Sequence, residues 1–248
     1  RLSRGDVIRL EPGIAEQRLA GAILAPGDEA GDSAQFCREL AKRCERLGVA
    51  FRLETEIRAL DVSGVEVQAV RSQGERFGAD AFVCALGVID PGLRESFGAD
   101  LPIYPVKGYS ATGRIVRPEL APRHAGIDES KSIAYCPLGE RVRLTGGAEF
   151  AGYAKTSGPE DFVRMHRAFE ELYPGAADFT AADAWVCQRP MTPESTPRFG
   201  RGRYANLWFN VGHGHMGWAM AAGAAKITAD LMGARAPEIG LEGLLVRS

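Results

Sequence analysis

The chain has no apolar run approaching the roughly 20 residues that a membrane-crossing helix needs; its longest candidate is Phe82 to Ile89. It has no excess of either charge. With 30 Lys and Arg against 32 Asp and Glu, nothing in the charge balance argues for nucleic acid or an anionic membrane surface as a partner. It also lacks C-x-x-C, H-E-x-x-H and G-x-S-x-G, the spacings that usually announce zinc sites, metalloproteases and serine hydrolases. No signal peptide, internal repeat or low-complexity tract stands out. The first residue is Arg1 rather than methionine, which predicts a truncated or processed start, and Arg1 to Leu10 alternates like the interior of a fold.

What remains is an ordinary globular composition, 45% apolar and 25% charged over 248 residues, enough for one or two domains with small molecules as the default partners. The five cysteines, Cys37, Cys44, Cys84, Cys136 and Cys187, are odd in number and predict reduced, buried thiols in a reducing compartment. Cys37 and Cys44 sit seven apart on a predicted helix, about 10 Å between Cα atoms, which is too far for a disulfide.

The most informative stretch is Asn206 to Gly233, where an apolar run enters a glycine loop that opens a helix of small residues. Gly212, Gly214 and Gly217 spell G-x-G-x-x-G, the dinucleotide fingerprint. That fingerprint opens a βαβ unit, yet only a short stretch follows before Ser248, and Glu238, at the distance of the ribose-binding acid, has no such unit around it. Three readings stay open: a pyrophosphate site, a tight packing turn, and a loop facing another part of a cofactor.

Upstream, Gly21 to Gly31 reads as a short strand with an acidic turn. Asp32 or Ser33 then caps a helix to Leu47 whose apolar stripe, including Phe36, Leu40 and Cys44, should lie on a sheet. Val49 to Leu53, Thr55 to Val62, Gly64 to Ser72 and Glu75 to Phe77 are predicted strands. Ala81 to Val88 is a continuous apolar run ending near glycine, the pattern of a central strand whose end meets a ligand. Leu101 to Val116 and Ser130 to Phe150 are predicted strands, the second turning at Pro137 to Glu140. A helix runs from Pro159 to about Tyr173, and the three-proline stretch Trp185 to Pro197 must be extended or looped.

Few side chains suggest polar catalysis. His213 and His215 have no third ligand at metal spacing, so hydrogen bonding within the loop is the simpler reading and no metal is expected. Arg189 lies in the apolar, proline-flanked CQRPM segment, where a guanidinium needs an anionic partner, either an internal carboxylate or that of a substrate. With so little acid–base machinery, a cofactor is expected to carry the reaction.

Three segments in order, PVKGYS (Pro105 to Ser110), RPMTPESTP (Arg189 to Pro197) and NVGHGHMGW (Asn210 to Trp218), resemble the FAD-dependent D-amino acid dehydrogenases of the D-amino acid oxidase-like flavoprotein superfamily. GDEAGD at Gly27 to Asp32 and ALG at Ala85 to Gly87 fit the same pattern. The resemblance runs from about Ile8 to Ile239 and corresponds to the C-terminal portion of a typical member, without the N-terminal unit that carries the family's own G-x-G-x-x-G.

The resemblance implies a mixed α/β (α+β) fold: an incomplete Rossmann-like FAD-binding domain interleaved with a substrate domain on a mixed, largely antiparallel sheet. Residues 1–25 and 101–197 would form the substrate domain, and 26–100 and 198–248 the FAD-binding domain. It implies FAD as cofactor and oxidative deamination of a D-amino acid or related amine, by hydride transfer from the α-carbon to flavin N5. Arg189 matches the family's carboxylate-binding arginine; Tyr109 and Tyr135 are candidates for the substrate wall, and His215 joins them as a candidate catalytic residue. Ile57, Ala85, Leu86 and Gly87, with Gly212, His213, Gly214, His215, Met216, Gly217 and Trp218, are the cofactor-binding candidates. Oxygen or a membrane quinone would accept the electrons, from a cytoplasmic location or one peripheral to the inner membrane face. The alternative is a cofactor-free fragment or subunit that binds a chain carrying the missing unit, with an exposed apolar edge at Ala81 to Val88 that invites an oligomer or a retained N-terminal fragment.

Overall fold

The computed structural model describes residues 1–247. Helices α1 (Arg4–Leu10) and α2 (Ser33–Arg46) come first, then strands β1 (Ala59–Ser63), β2 (Glu66–Arg71), β3 (Arg76–Phe77) and β4 (Phe82–Cys84). Helix α3 (Pro91–Ser96) leads into β5 (Tyr104–Ile115), β6 (Gly126–Asp128), β7 (Ile133–Leu138) and β8 (Arg141–Glu149). Helix α4 (Glu160–Leu172), strands β9 (Ala177–Met191), β10 (Arg198–Arg201) and β11 (Leu207–Val211), and helix α5 (Gly217–Met232) follow. The fold is mixed α/β with mostly antiparallel pairing. The chain divides into two interleaved units, Arg1–Lys42 with Lys107–Cys187 and Arg43–Val106 with Gln188–Ser248. These divisions fall after residues 42, 106 and 187, where the sequence reading set them after 25, 100 and 197.

The first unit is built on a five-stranded sheet in the order β6-β7-β8-β5-β9. Helix α4 buries Phe162, Met165, Ala168, Phe169 and Leu172, which at spacings of three and four residues form one stripe. That stripe meets Ala111, Ile133, Val142 and Leu144 in a single core. Strand register puts Ala111, Leu144, Tyr135 and Gly126 side by side in one row. Gly126 must lack a side chain, because a Cβ there would stand 2.3 Å from the Tyr135 hydroxyl oxygen. Beneath this core, Glu11 is a buried carboxylate that accepts the Arg123 and His124 backbone N–H groups at 2.8 and 2.9 Å and contacts His124 Nδ1 at 2.6 Å. The Tyr173 hydroxyl donates to it at 3.3 Å. The acid therefore satisfies a loop that would otherwise bury bare donors.

The second unit holds an antiparallel meander, β1-β2-β3, and a second sheet in the order β10-β11-β4. Strand β11 is antiparallel to β10 but parallel to β4, with Leu207, Trp208 and Phe209 opposite Phe82, Val83 and Cys84. Val67, Cys84, Leu93, Phe97, Leu207, Phe209 and Val211 form its core, where Phe97 meets the Phe209 ring edge-on at 5.8 Å. Burial pushes the Cys84 thiol up to about 11, so it stays protonated at neutral pH. Asp90 caps α3, accepting the Gly92 N–H at 2.9 Å, and Pro91 supplies the helical φ of the first turn.

Several sequence expectations need correction. Arg1 to Leu10 is a helix over most of its length, because Ser3 and Asp6 make a reciprocal capping box that outweighs the short alternation. Val49 to Leu53 forms no strand, and Gly21 to Gly31 contributes only an isolated bridge between Leu2 and Ala22. Helix α2 forms where predicted, capped by Asp32, but none of its residues is buried and its apolar stripe covers no sheet. Cys37, on that helix, is exposed and Cys44, Cys136 and Cys187 are half-buried, so only Cys84 is buried as expected; no disulfide joins the five cysteines. Ala81 to Val88 yields the short strand β4, which pairs on one side only among the described residues, leaving Val83 exposed. An apolar run records a need for burial and not the number of paired neighbours. Trp185 to Met191 continues β9, with Pro190 near the strand end, where a missing N–H is tolerated.

Phe169 is 1% exposed at the centre of the first core. Phe169→Ala is expected to cost about 3–5 kcal/mol, measurable as a lower urea midpoint with an unchanged m-value.

Candidate functional site

Two of the predicted segments of the second unit, Ala85 to Gly87 and Gly212 to Trp218, follow neighbouring strands of the β10-β11-β4 sheet. Because β4 and β11 run parallel and Phe209 lies opposite Cys84, both chains leave the sheet in the same direction, β4 into Ala85, Leu86 and Gly87 and β11 into Gly212. The carboxyl ends of parallel strands are where open α/β sheets receive ligands. Gly87 turns the chain with φ +71°, and Gly212 with φ +76°, conformations that a residue with Cβ rarely adopts. Ile57 is half-buried and packs on the edge of the same unit's core.

The Gly212 turn is seated on the Arg189 segment. A Cβ on Gly212 would lie 2.7 Å from Thr192 Cγ2, and one on Gly214 would lie 2.7 Å from Met191 Sδ. The Gly214 N–H donates to the Pro190 carbonyl at 3.0 Å. Thr192 is itself buried and donates to the Thr196 carbonyl at 2.7 Å. Two motifs 23 or so residues apart in sequence thus form one constellation, with Arg189, half-buried, immediately before the proline that the loop grips. Pro190, Met191 and Thr192 were not among the sequence-derived candidates, although the RPMT spacing contained them.

Helix α5 begins at Gly217 without a side-chain cap. Its amino terminus carries the positive end of the helix dipole, and Met216 and Trp218 beside it are exposed. Behind it, α5 is fixed to the sheet by buried Ala224 and Thr228. Two polar atoms at the loop are buried without a hydrogen-bond partner, Asn210 Oδ1 and His213 Nε2. Burial lowers the His213 pKa, which favours the neutral ring, and its ring stands edge-on to Phe199 at 6.1 Å. His215 is exposed. An uncapped helix start with free N–H donors and a glycine turn that lets the backbone approach fit the electron-rich edge of a flavin ring, which gains negative charge on reduction. Among the described residues, no group of three or more His, Cys, Asp or Glu is placed to hold a metal ion.

Tyr109 and Tyr135 lie in the first unit, on the face of its sheet that α4 covers. Tyr135 stands edge-on to Tyr173 at 5.3 Å, with the two hydroxyl oxygens 3.3 Å apart; burial raises the Tyr135 pKa. The Tyr109 ring meets Phe162 at 5.7 Å and its hydroxyl donates to Glu149 in a short contact. Lys107, buried beside it, pairs with Glu149 at 3.0 Å and donates to the Thr156 carbonyl at 3.0 Å. The side chains of the opposite sheet face, which sequence reading passed over, are set by the two-residue period of the strands.

Gly212→Ala is expected to cost about 1–2 kcal/mol through its backbone alone, and more because β-branched Thr192 cannot swing away. Gly214→Ala should cost less, since the Met191 sulfur lies on a flexible side chain; denaturant midpoints of the two variants check the order.

The sequence model of the FAD dependent oxidoreductase family, DAO, matches residues 1–231. The chain is 42% identical over 247 residues to D-amino acid dehydrogenase 2 of Mesorhizobium japonicum, covering 98% of this chain and 59% of that protein. It is 45% identical over 240 residues to a D-amino acid dehydrogenase of Cereibacter sphaeroides, covering 96% and 55%. The chain therefore spans little more than half the length of these curated relatives. Among solved structures, glycine oxidase from Geobacillus kaustophilus superposes with a TM-score of 0.88 at 22% identity, over 98% of this chain and 65% of that one. Iminodiacetate oxidase from Chelativorans sp. BNC1 does so at 0.82 and 18%, over 100% and 66%. These likenesses show the fold. The chain belongs to the DAO family of FAD-dependent oxidoreductases.

Proposed function

We propose that this protein takes part in the FAD-dependent oxidative deamination of a D-amino acid or related amine. One observation carries the reading: the loop that opens α5 is bonded, through Gly214 and Pro190, to the strand end that presents Arg189. Relatives at 42–45% identity bear the name D-amino acid dehydrogenase, which supports the same substrate class here.

When bound, the flavin would supply an acceptor for the hydride of the substrate's α-carbon. The protein's part is orientation and charge. Gly212 to Trp218 would line the ring with backbone N–H groups at the start of α5, and Ala85, Leu86, Gly87 and Ile57 would hold the cofactor elsewhere in the same unit. Arg189 would fix the substrate carboxylate with its planar fork, aligning the α-carbon. An amine entering neutral needs no side-chain base, and the imine released is hydrolysed by water to a 2-oxo acid and ammonia. His213, kept neutral, and exposed His215 shape the loop. Tyr109 and Tyr135, both engaged on the α4 side, would act as packing residues rather than as the substrate wall.

A second reading, a partner subunit without its own cofactor, is favoured by one feature, the exposed Val83 and Leu86 at the one-sided strand β4. Flavin absorbance separates the two, because a protein that remains colourless after incubation with FAD would belong to the second. No helix among the described residues is long and apolar enough to cross a membrane.

In the flavin-loaded protein, Arg189→Ala is expected to raise KM and lower kcat/KM by about 30-fold or more, the loss of one charge-paired contact. Wild-type kinetics in that variant would reject the assignment.

A further inference from the structure

Strand β9 ends at Met191, and the turn that follows is held more firmly than a surface connection needs. Ser195, exposed in that turn, has φ +57°, a left-handed conformation that is costly for a residue with a Cβ. Thr192 closes the turn twice: its carbonyl accepts the Ser195 N–H at 3.0 Å, and its hydroxyl donates to the Thr196 carbonyl at 2.7 Å. Arg198, with 12% of its side chain exposed, donates to Thr196 Oγ1 at 3.0 Å and pairs with Glu194 at 2.6 Å. Backbone strain persists only where neighbours over-determine it, and it collects at the working parts of a protein.

This turn is the seat of Gly212. The Cβ position of Gly212 lies 2.7 Å from Thr192 Cγ2 and 3.9 Å from both the Thr196 carbonyl oxygen and Ile103 Cγ1, so the Thr192 methyl is the tightest wall of its socket. That methyl shares a Cβ with the bonded hydroxyl, and Thr192 is buried, so fixing one branch fixes the other. The loop N–H groups and the start of α5 at Gly217 follow directly from Gly212. Their positions therefore depend on where the methyl holds the turn. All of these residues belong to the second unit.

We propose that Thr192 is a positioning residue for the flavin edge: its methyl sets the height of the Gly212 turn, its hydroxyl locks that methyl in place, and together they aim the N–H donors of Gly212 to Trp218 at the ring. The proposal rests on the deamination reading above and adds a residue that acts through the loop rather than on the substrate.

Two variants of nearly the same shape separate the branches. Thr192→Ser keeps the hydroxyl and removes the methyl, and Thr192→Val keeps a methyl and removes the hydroxyl. In the flavin-loaded protein both are expected to give a more negative midpoint potential, because displaced donors stabilise the reduced ring less. Both should lower kcat about tenfold, with KM for D-alanine held within about twofold by Arg189. Leu93→Ala, which empties part of the same unit's core, should lower the urea midpoint and leave the potential unmoved, which separates aim from stability. A wild-type potential in either Thr192 variant, or an equal shift in Leu93→Ala, overturns the proposal. The second measurement needs no flavin and compares urea midpoints of Gly212→Ala, Thr192→Ser and the double variant. The shift caused by Gly212→Ala should be smaller in the Thr192→Ser background, and additive shifts overturn the seating. A wild-type protein that takes up no FAD sinks the deamination reading itself, while the flavin-free comparison still decides whether Thr192 seats the turn.

Discussion

The parallel pairing of β4 with β11 is the constraint on which the second unit depends. It sends two chain segments out of the sheet at the same edge, and the sharp turn at Gly212 then reverses one of them into α5. The turn is possible only because Gly212 has no Cβ, since Thr192 occupies the space where one would be. The same close approach lets the Gly214 N–H reach the Pro190 carbonyl, so the helix start and the arginine-bearing strand end are fixed to each other through backbone atoms. Backbone contacts of this kind leave side chains free for ligands and lose little entropy on binding.

The first unit shows a different economy of positions. Alternation along β5, β7 and β8 commits one set of side chains to α4 and the other set to the opposite face. Tyr109, Tyr135, Ala111 and Leu144 belong to the first set; Ser110, Thr112, Arg143 and Thr145 belong to the second. A shift of one residue separates an aromatic packed against the α4 core from a hydroxyl of the opposite face, where Ser110 and Thr112 are themselves buried. A buried carboxylate, Glu11, and a buried ammonium, Lys107, then tie loops to the α4 side by satisfying backbone donors and a carbonyl.

Much of this was legible in the sequence. Helices α2, α4 and α5 and the β7–β8 hairpin follow from capping residues, apolar spacing and turn chemistry, and the glycine loop was conspicuous from its composition alone. The strand parity was not legible, because it depends on which residues face each other across β5, β7 and β8, and the bulge near Lys107 shifts that count. The seating of Gly212 on Thr192 was also hidden, being a contact between segments that sequence shows only as separate motifs. Capping at Ser3 overrode an alternation that suggested extended chain, a case of two signals competing over ten residues.

The central claim is that the uncapped start of α5 faces a flavin ring and stabilises its reduced form. The direct measurement is the midpoint potential of the bound flavin in the wild type and in Ala219→Glu, which places a carboxylate in the first turn of α5 at a position where the residue is exposed and acids favour helices. The account predicts a more negative potential in the variant, because the added charge opposes the negative charge of the reduced ring. A potential that does not move, in a variant that still holds its flavin, would contradict it.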